Sequence, residues 1–382
     1  MTTHTRPEIS LPGPFEPVCR AIRPLLVLGL SLAPMMALAN VGDARTVASG
    51  LSNPRGIGFA PNGALYVAEA GRGGQEWCIP SPVPMNGNRC YGETGAVTRI
   101  LPEGGFQRVL TGLPSLALAD GTVEGGVVDV TFLGTAAYVT LGWGGDPAIR
   151  STVGGKAALL GNLLHVTPAG KYQVVTDVSA HETNFNPAGG TVDSNPYGSV
   201  ALPGRRIVAD AGANALIEVL ANGHTRTFAV PAALPDGRQA VPTSVAEGPD
   251  GALYVGLLTG FPFWRGTASV LRVSSDGSSI ETFASGLTAV VDVAFDAGGA
   301  LYVLEVASGQ VAPFPPPNPG LGNGRLLRKC PGAAPTELLN GLVFPGGIRD
   351  RPGWRGVPDQ SWHVADGWRG AATAAGAVLL LK

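Results

Sequence analysis

Charge is scarce in this sequence. Only 14% of its 382 residues are Asp, Glu, Lys or Arg, against roughly 25% in an ordinary soluble domain. The 26 basic and 28 acidic residues nearly cancel, so no basic field is present to hold nucleic acid or an anionic membrane surface. Histidine is scarcer still: five residues, His4, His165, His181, His224 and His363, and no Gly-x-Ser-x-Gly elbow to anchor a serine–histidine–acid triad. Four cysteines, with no His or Cys pair at metal-ligand spacing, leave zinc without a ligand set. The glycine-rich words at 142–145 and 320–324 lack the strand-turn-helix setting of a phosphate loop.

A long apolar run is also lacking. Arg20 and Arg23 precede a stretch from Leu25 to Ala39 of about 15 residues, interrupted by Pro34 and short of the ~20 that a spanning helix needs. Ala37 and Ala39 give the small-x-small pattern of secretory cleavage, so residues 1–39 are read as a signal peptide cut before Asn40. The mature chain is expected in the periplasm or outside the cell, as a monomer without stable membrane insertion. Cys78 and Cys90 lie close together in a Gly/Pro/Asn-rich loop, and a disulfide between them suits an oxidising compartment. Cys19 leaves with the leader, and Cys330 is left as an odd thiol.

What the chain has in abundance is glycine (56) and proline (33), set among apolar pieces that make 45% of the residues and argue against disorder. The pieces repeat. Gly56-Ile57-Gly58-Phe59 through Leu65-Tyr66-Val67, Ser244-Val245-Ala246 through Leu253-Tyr254-Val255, and Asp292-Val293-Ala294-Phe295 through Leu301-Tyr302-Val303 are copies of one unit. Weaker copies run from Asp129 to Val139 and from Val200 to Val208. Each joins an alternating strand to a second strand through a turn such as Pro61-Asn62-Gly63 or Pro249-Asp250-Gly251, where proline presets φ and glycine takes the positive φ. A second hairpin follows, and many units close on the same word: Ser49-Gly50-Leu51, Thr111-Gly112-Leu113, Ser285-Gly286-Leu287 and Asn340-Gly341-Leu342. Four strands per unit, recurring about every 47 to 72 residues, predict an all-β propeller over residues 40–348. Five units are visible, a sixth opens at Phe344, and the strand near Ala44 is expected to supply its outer edge.

Asp193-Ser194-Asn195-Pro196-Tyr197-Gly198, Val208-Ala209-Asp210-Ala211-Gly212, Val241-Pro242-Thr243-Ser244-Val245 and Tyr254-Val255-Gly256-Leu257-Leu258-Thr259-Gly260-Phe261-Pro262-Phe263 occur in that order. In these words, across roughly residues 44–348, the chain resembles the NHL-like six-bladed β-propellers and, within them, the ScyD/ScyE family of exported proteins. The resemblance implies a secreted propeller, of a kind found in some cyanobacteria near genes for a sheath sunscreen pigment. It brings no catalytic residues with it.

The repeat breaks after Ile348. Residues 349–363 show no strand alternation where a strand, a turn and a strand are due, although two of the six tryptophans fall there. A GC-rich coding sequence read one nucleotide later permits Ala-Ile-Gly-Pro-Asp-Gly-Ala-Val-Tyr-Leu, the missing word. The tail 349–382 is therefore read as an out-of-frame part of the sixth blade, which is then incomplete. Nucleotide sequence lacking that word in the shifted frame rejects this reading.

Propeller ligands sit at the mouth of the central channel. Aligning the first strands places Gly56, Asp129, Ser244 and Asp292 at one position, with Ser199 a looser fit. Asp129 and Asp292 then oppose each other across a six-blade ring. Such a pair, with Asn195 as a neutral oxygen ligand, suits a hard cation such as calcium; alternatively, each carboxylate accepts hydrogen bonds at its strand start. Glu69, Asp210 and Glu305 recur three residues after the strand tyrosine in alternate units, either as a threefold ligand cluster or as local acceptors of backbone N–H groups. Phe261, Phe263 and Trp264 form an aromatic loop suited to an aromatic or sugar ligand, or to packing. The proline-rich word at 311–317 is read as a stiff loop. The expected function is non-catalytic binding of a small molecule, an extracellular polymer or a protein partner. The alternative, by fold analogy, is a metal-dependent lactonase-like hydrolase with a cation in the channel.

Overall fold

The computed structural model describes residues 44–83, 87–102, 104–308, 323–350, 362–366 and 376–381. The leader with Cys19, the proline-rich word at 311–317 and most of the tail lie outside them. An edge strand β1 (Ala44–Leu51) precedes β2 (Pro54–Phe59), β3 (Leu65–Glu69), β4 (Glu76–Pro80), β5 (Asn88–Ile100) and β6 (Phe106–Leu118). Then come β7 (Val123–Leu133), β8 (Ala136–Gly142), β9 (Asn162–Val166) and β10 (Tyr172–Asp177), followed by the short helix α1 (Ser179–Phe185). The next group is β11 (Pro196–Leu202), β12 (Arg205–Asp210), β13 (Ala215–Leu220) and β14 (Thr225–Ala229). It is followed by β15 (Pro242–Glu247), β16 (Leu253–Leu257), β17 (Ala268–Val273) and β18 (Ile280–Leu287). After these run β19 (Val290–Phe295), β20 (Leu301–Glu305), β21 (Gly324–Lys329) and β22 (Thr336–Leu342), then β23 (Gly347–Asp350), β24 (Trp362–Asp366) and β25 (Gly376–Leu381).

The chain is all-β and built from antiparallel four-stranded groups. β11–β14, β15–β18 and β19–β22 are each a separate sheet in chain order. β2, β3, β5 and β6 form a like group, joined through β6 and β7 to the group β7–β10 in one nine-stranded sheet, with β4 paired on β5. The last sheet has the order β1-β25-β24-β23, so β1 is its outer strand. Its two middle strands come from the tail, against the expectation that residues 349–382 leave them missing: Gly376–Leu381 is a short apolar run that pairs with both β24 and β1. The first strands meet in cyclic order: β2 touches β7, β7 touches β11, and the contacts continue through β15, β19 and β23 back to β2.

The repeated words act locally. In the hairpin turns Asn62, Asp120, Asp250, Asp276 and Asp296 each accept the backbone N–H two residues on, which fixes the turn before glycine completes it. The closing words are β-bulges. Gly50, Gly112, Gly286 and Gly341 hold φ between 71° and 84°, and the pairing register slips beside Leu51, Leu113, Leu287 and Leu342. The extra residue turns each leucine inward, and all four are buried. A fully buried leucine contributes about 1.5–3 kcal/mol.

Apolar clusters lie between successive groups of strands. One joins Ile207 and Leu216 to Val255 and Leu271; another joins Val270 and Leu287 to Val293 and Val303. The strand tyrosines bridge the same seams, with Tyr66 5.1 Å from Phe132 and Tyr254 4.7 Å from Phe295, ring centre to ring centre.

Candidate functional site

The first strands bring Asp129 and Asp292 together through a residue that the repeat does not predict. Arg349 on β23 donates from Nη1 to Asp292 Oδ2 at 2.6 Å, while its Nη2 lies 3.7 Å from Asp129 Oδ1. A guanidinium thus stands between the two carboxylates, in the place a cation would take. Both aspartates also staple neighbouring first strands. Asp129 accepts from its own Val130 N–H and from Ser199 N–H and Oγ on β11; Asp292 accepts from Val293 N–H and from Ile348 N–H on β23. Burial pushes the Asp129 carboxyl up to about 6, helped by Asp292 and opposed by Arg349. Asp292 is raised by burial too, against the pull of Arg349. Burial disfavours the charge on Arg349, and the two carboxylates more than offset it.

Gly56 makes this approach possible. A Cβ there would stand 2.2 Å from Asp129 Oδ1 and 2.9 Å from the Val128 carbonyl oxygen. Ser244, at the same strand position, is buried, and its hydroxyl finds no hydrogen-bond partner among the described residues. Asn195 lies against Gly142 on the neighbouring strand, with its Oδ1 2.9 Å from where a Cβ would sit.

Glu69, Asp210 and Glu305 each close on their own unit. Glu69 accepts from the Ser52 N–H, from Thr98 Oγ1 and from Arg108 in a bidentate pair. Glu305 accepts from Thr288 N–H and pairs with Arg325. Asp210 accepts from Ser194 Oγ, Asn195 N–H and Ala213 N–H, and burial lifts it to about 6. In each case the backbone donor lies one or two residues before the first strand of the same unit, so the carboxylate locks the chain as it enters that unit.

Beside Asp210 is a second polar group that the sequence reading missed. Glu182 on α1 is buried, accepts weakly from Asp193 N–H at 3.5 Å and leaves Oε2 without a hydrogen-bond partner. Burial pushes its carboxyl up to about 7, with Asp210 and Asp193 adding to the effect. Arg89, also buried, donates to the carbonyls of Trp143 and Gly144 and lies over the Trp143 ring. Burial lowers it to about 10, opposed by Glu124 and Asp193. His181 engages the hydroxyls of Thr225 and Thr227 with its two ring nitrogens, and burial lowers its pKa. Glu182 and His181 come from the connection between β10 and β11, and Arg89 from the outer end of β5, where no repeat copy marks them.

Connections in an antiparallel unit alternate between its two ends. Those that follow second and fourth strands therefore share one end, which includes the long connections before β5, β9 and β11. Seven of the nine exposed large apolar side chains among the described residues lie at that end: Trp77, Val83, Ile149, Phe185, Val230, Phe261 and Trp264. The aromatic loop is exposed there, with Phe261 edge-on to Phe263 at 5.7 Å. The Cys78–Cys90 disulfide ties another of these loops. Cys330 is disulfide-bonded as well, which corrects the expectation of an odd thiol. Among the described residues no group of three or more His, Cys, Asp or Glu is placed to hold a metal, and no helix is long and apolar enough to cross a membrane.

No family model and no curated protein matches this chain. Among solved structures it is similar to a Bacteroides thetaiotaomicron protein of unknown function, with a TM-score of 0.50 and 9% identity over 88% of this chain and 76% of that one. It is also similar to virginiamycin B lyase from Staphylococcus aureus, with a TM-score of 0.46 and 15% identity over 87% and 96% of the two chains. The PQQ-bound aldose sugar dehydrogenase of Streptomyces coelicolor gives 0.47 and 12%, over 88% and 96%. At these identities the likeness is one of fold alone: an all-β chain of propeller-like, four-stranded sheets.

Proposed function

We propose that this chain is an exported, non-catalytic six-bladed propeller of the ScyD/ScyE type that binds its ligand at the loop-bearing mouth of the central channel. The cyclic contacts of the first strands support the ring. The observation that carries the binding reading is the saturation of the axial carboxylates. Asp129 and Asp292 commit their oxygens to strand N–H groups and to Arg349, so neither stands free as a base or nucleophile. At the mouth the Arg349 side chain is 22% exposed. Its cation suits an oxygen-bearing ligand.

The test uses the secreted protein, whose N-terminal sequence is expected to begin at Asn40. Small carboxylic acids and sugar alcohols are screened for a thermal shift. A shift that disappears in Arg349→Met supports binding at the mouth. Turnover of γ-butyrolactone with calcium, abolished by chelation, would instead establish the hydrolase.

A further inference from the structure

The tryptophans at the loop-bearing end are held in opposite ways. Trp143 is fully buried beneath Arg89. Trp77 is 48% exposed, although its loop holds it firmly. It adopts φ of +42°, a strained value for a residue with a bulky side chain, and it adjoins the Cys78–Cys90 bridge. One face of its indole lies on bare backbone: a Cβ on Gly154 would stand 2.3–2.8 Å from ring atoms Cε2, Cζ2 and Cδ2. The Tyr91 ring meets it edge-on at 5.7 Å. Strain of this kind, kept while about half of the side chain stays in solvent, points to a use for the exposed face.

The surroundings decide what that face fits. Tyr91 Oη accepts from Lys156 N–H at 2.7 Å and donates to Glu93 Oε1 at 3.1 Å. Lys156 Nζ donates to Glu93 Oε2 and to the Gly112 carbonyl, and both charged side chains are more than 40% exposed. Lys156 keeps one donor unused, and Glu93 keeps acceptor capacity. A protein hot spot buries its aromatic anchor inside an apolar ring that excludes water. Here the tyrosine that meets the indole is itself bonded to groups whose charges cancel, and the exposed neighbours Gln75 and Glu76 are polar. A pyranose ring has the complementary chemistry: a flat C–H face for the indole and an equatorial rim of hydroxyls for the acceptors and donors.

We propose that Trp77 is the stacking platform of a carbohydrate subsite that takes one ring of a neutral polysaccharide, with Glu93 and Lys156 meeting its hydroxyls. The proposal rests on the reading that the loop-bearing end is the binding end, and it names the ligand class there.

Affinity electrophoresis of the full secreted protein through gels containing hydroxyethylcellulose or alginate tests it. The expected result is retardation by hydroxyethylcellulose and less by alginate, which Glu76 repels. Affinity should fall at least tenfold in Trp77→Ala and partly in Trp77→Phe and Lys156→Ala, with Ile280→Ala, an exposed apolar side chain away from that end, unchanged. Trp77→Phe retains a ring on Gly154, so it reports even if the alanine variant misfolds. Absence of retardation, equal retardation of wild type and Trp77→Ala, preference for alginate, or a change of oligomeric state as the sole effect of Trp77→Ala would overturn the proposal. Retardation lost in Arg349→Met but kept in Trp77→Ala would overturn the platform and leave the channel-mouth reading standing.

Discussion

Arg349 Nη1 lies 2.6 Å from Asp292 Oδ2, and the other arm of the same guanidinium reaches towards Asp129. Removing the cation leaves two buried carboxylates facing each other. Arg349→Met is expected to lose about 3–5 kcal/mol of stability at neutral pH, the usual effect of deleting one partner of a buried pair. Urea denaturation measures it. The loss should shrink near pH 5, where the unpaired carboxylates take up protons.

The raised carboxylates set a pH dependence of definite sign. Glu182 titrates near 7 and Asp210 near 6 in the folded chain, against about 4 when unfolded. The native state therefore binds protons that the unfolded chain releases, so this contribution is fully present below about pH 4 and is lost as pH rises through about 7. Melting temperature should fall between pH 5 and pH 8. In Glu182→Gln that slope should flatten, and a slope equal to wild type would refute the assignment.

Gly56 is predicted to tolerate no side chain. Gly56→Ala places a methyl group against Asp129, which is paired with Thr140, and against the Val128 carbonyl. The expected cost is about 1–3 kcal/mol, as for an overpacked core. A melting curve of the variant tests it.

The Cys78–Cys90 bridge closes a short loop, the two residues being 12 apart in sequence. Cys78→Ser with Cys90→Ser should lower stability by about 3 kcal/mol, on the chain-entropy estimate for a loop of this order. Limited proteolysis should then cut first between residues 79 and 89.

The hairpins were legible because their signals are local: Asp250 and Gly251 make the turn that their chemistry demands, whatever surrounds them. The equivalence of Asp129 and Asp292 was legible because the repeat carries it. Their partner was not. Arg349 is the first residue after the pattern breaks, inside the stretch read as out of frame, and a guanidinium supplied by a different unit leaves no periodic trace. Glu182, Arg89 and Trp77 escaped for a related reason. Their roles depend on which loops meet at one end of the sheets, and loop sequences do not repeat. The bulge at Gly286 shows an intermediate case: its word was visible, whereas the inward turn of Leu287 follows from pairing geometry alone.

The pairing of Ala44 with Leu381 has a consequence for biosynthesis. β1 is the earliest strand described, and its sheet partner emerges from the ribosome more than 300 residues later. Until then its backbone N–H and C=O groups are unmatched, and the loop that must close on them is nearly the length of the chain. The strand made first is the one that docks last, so a chain interrupted anywhere before residue 376 keeps an open edge.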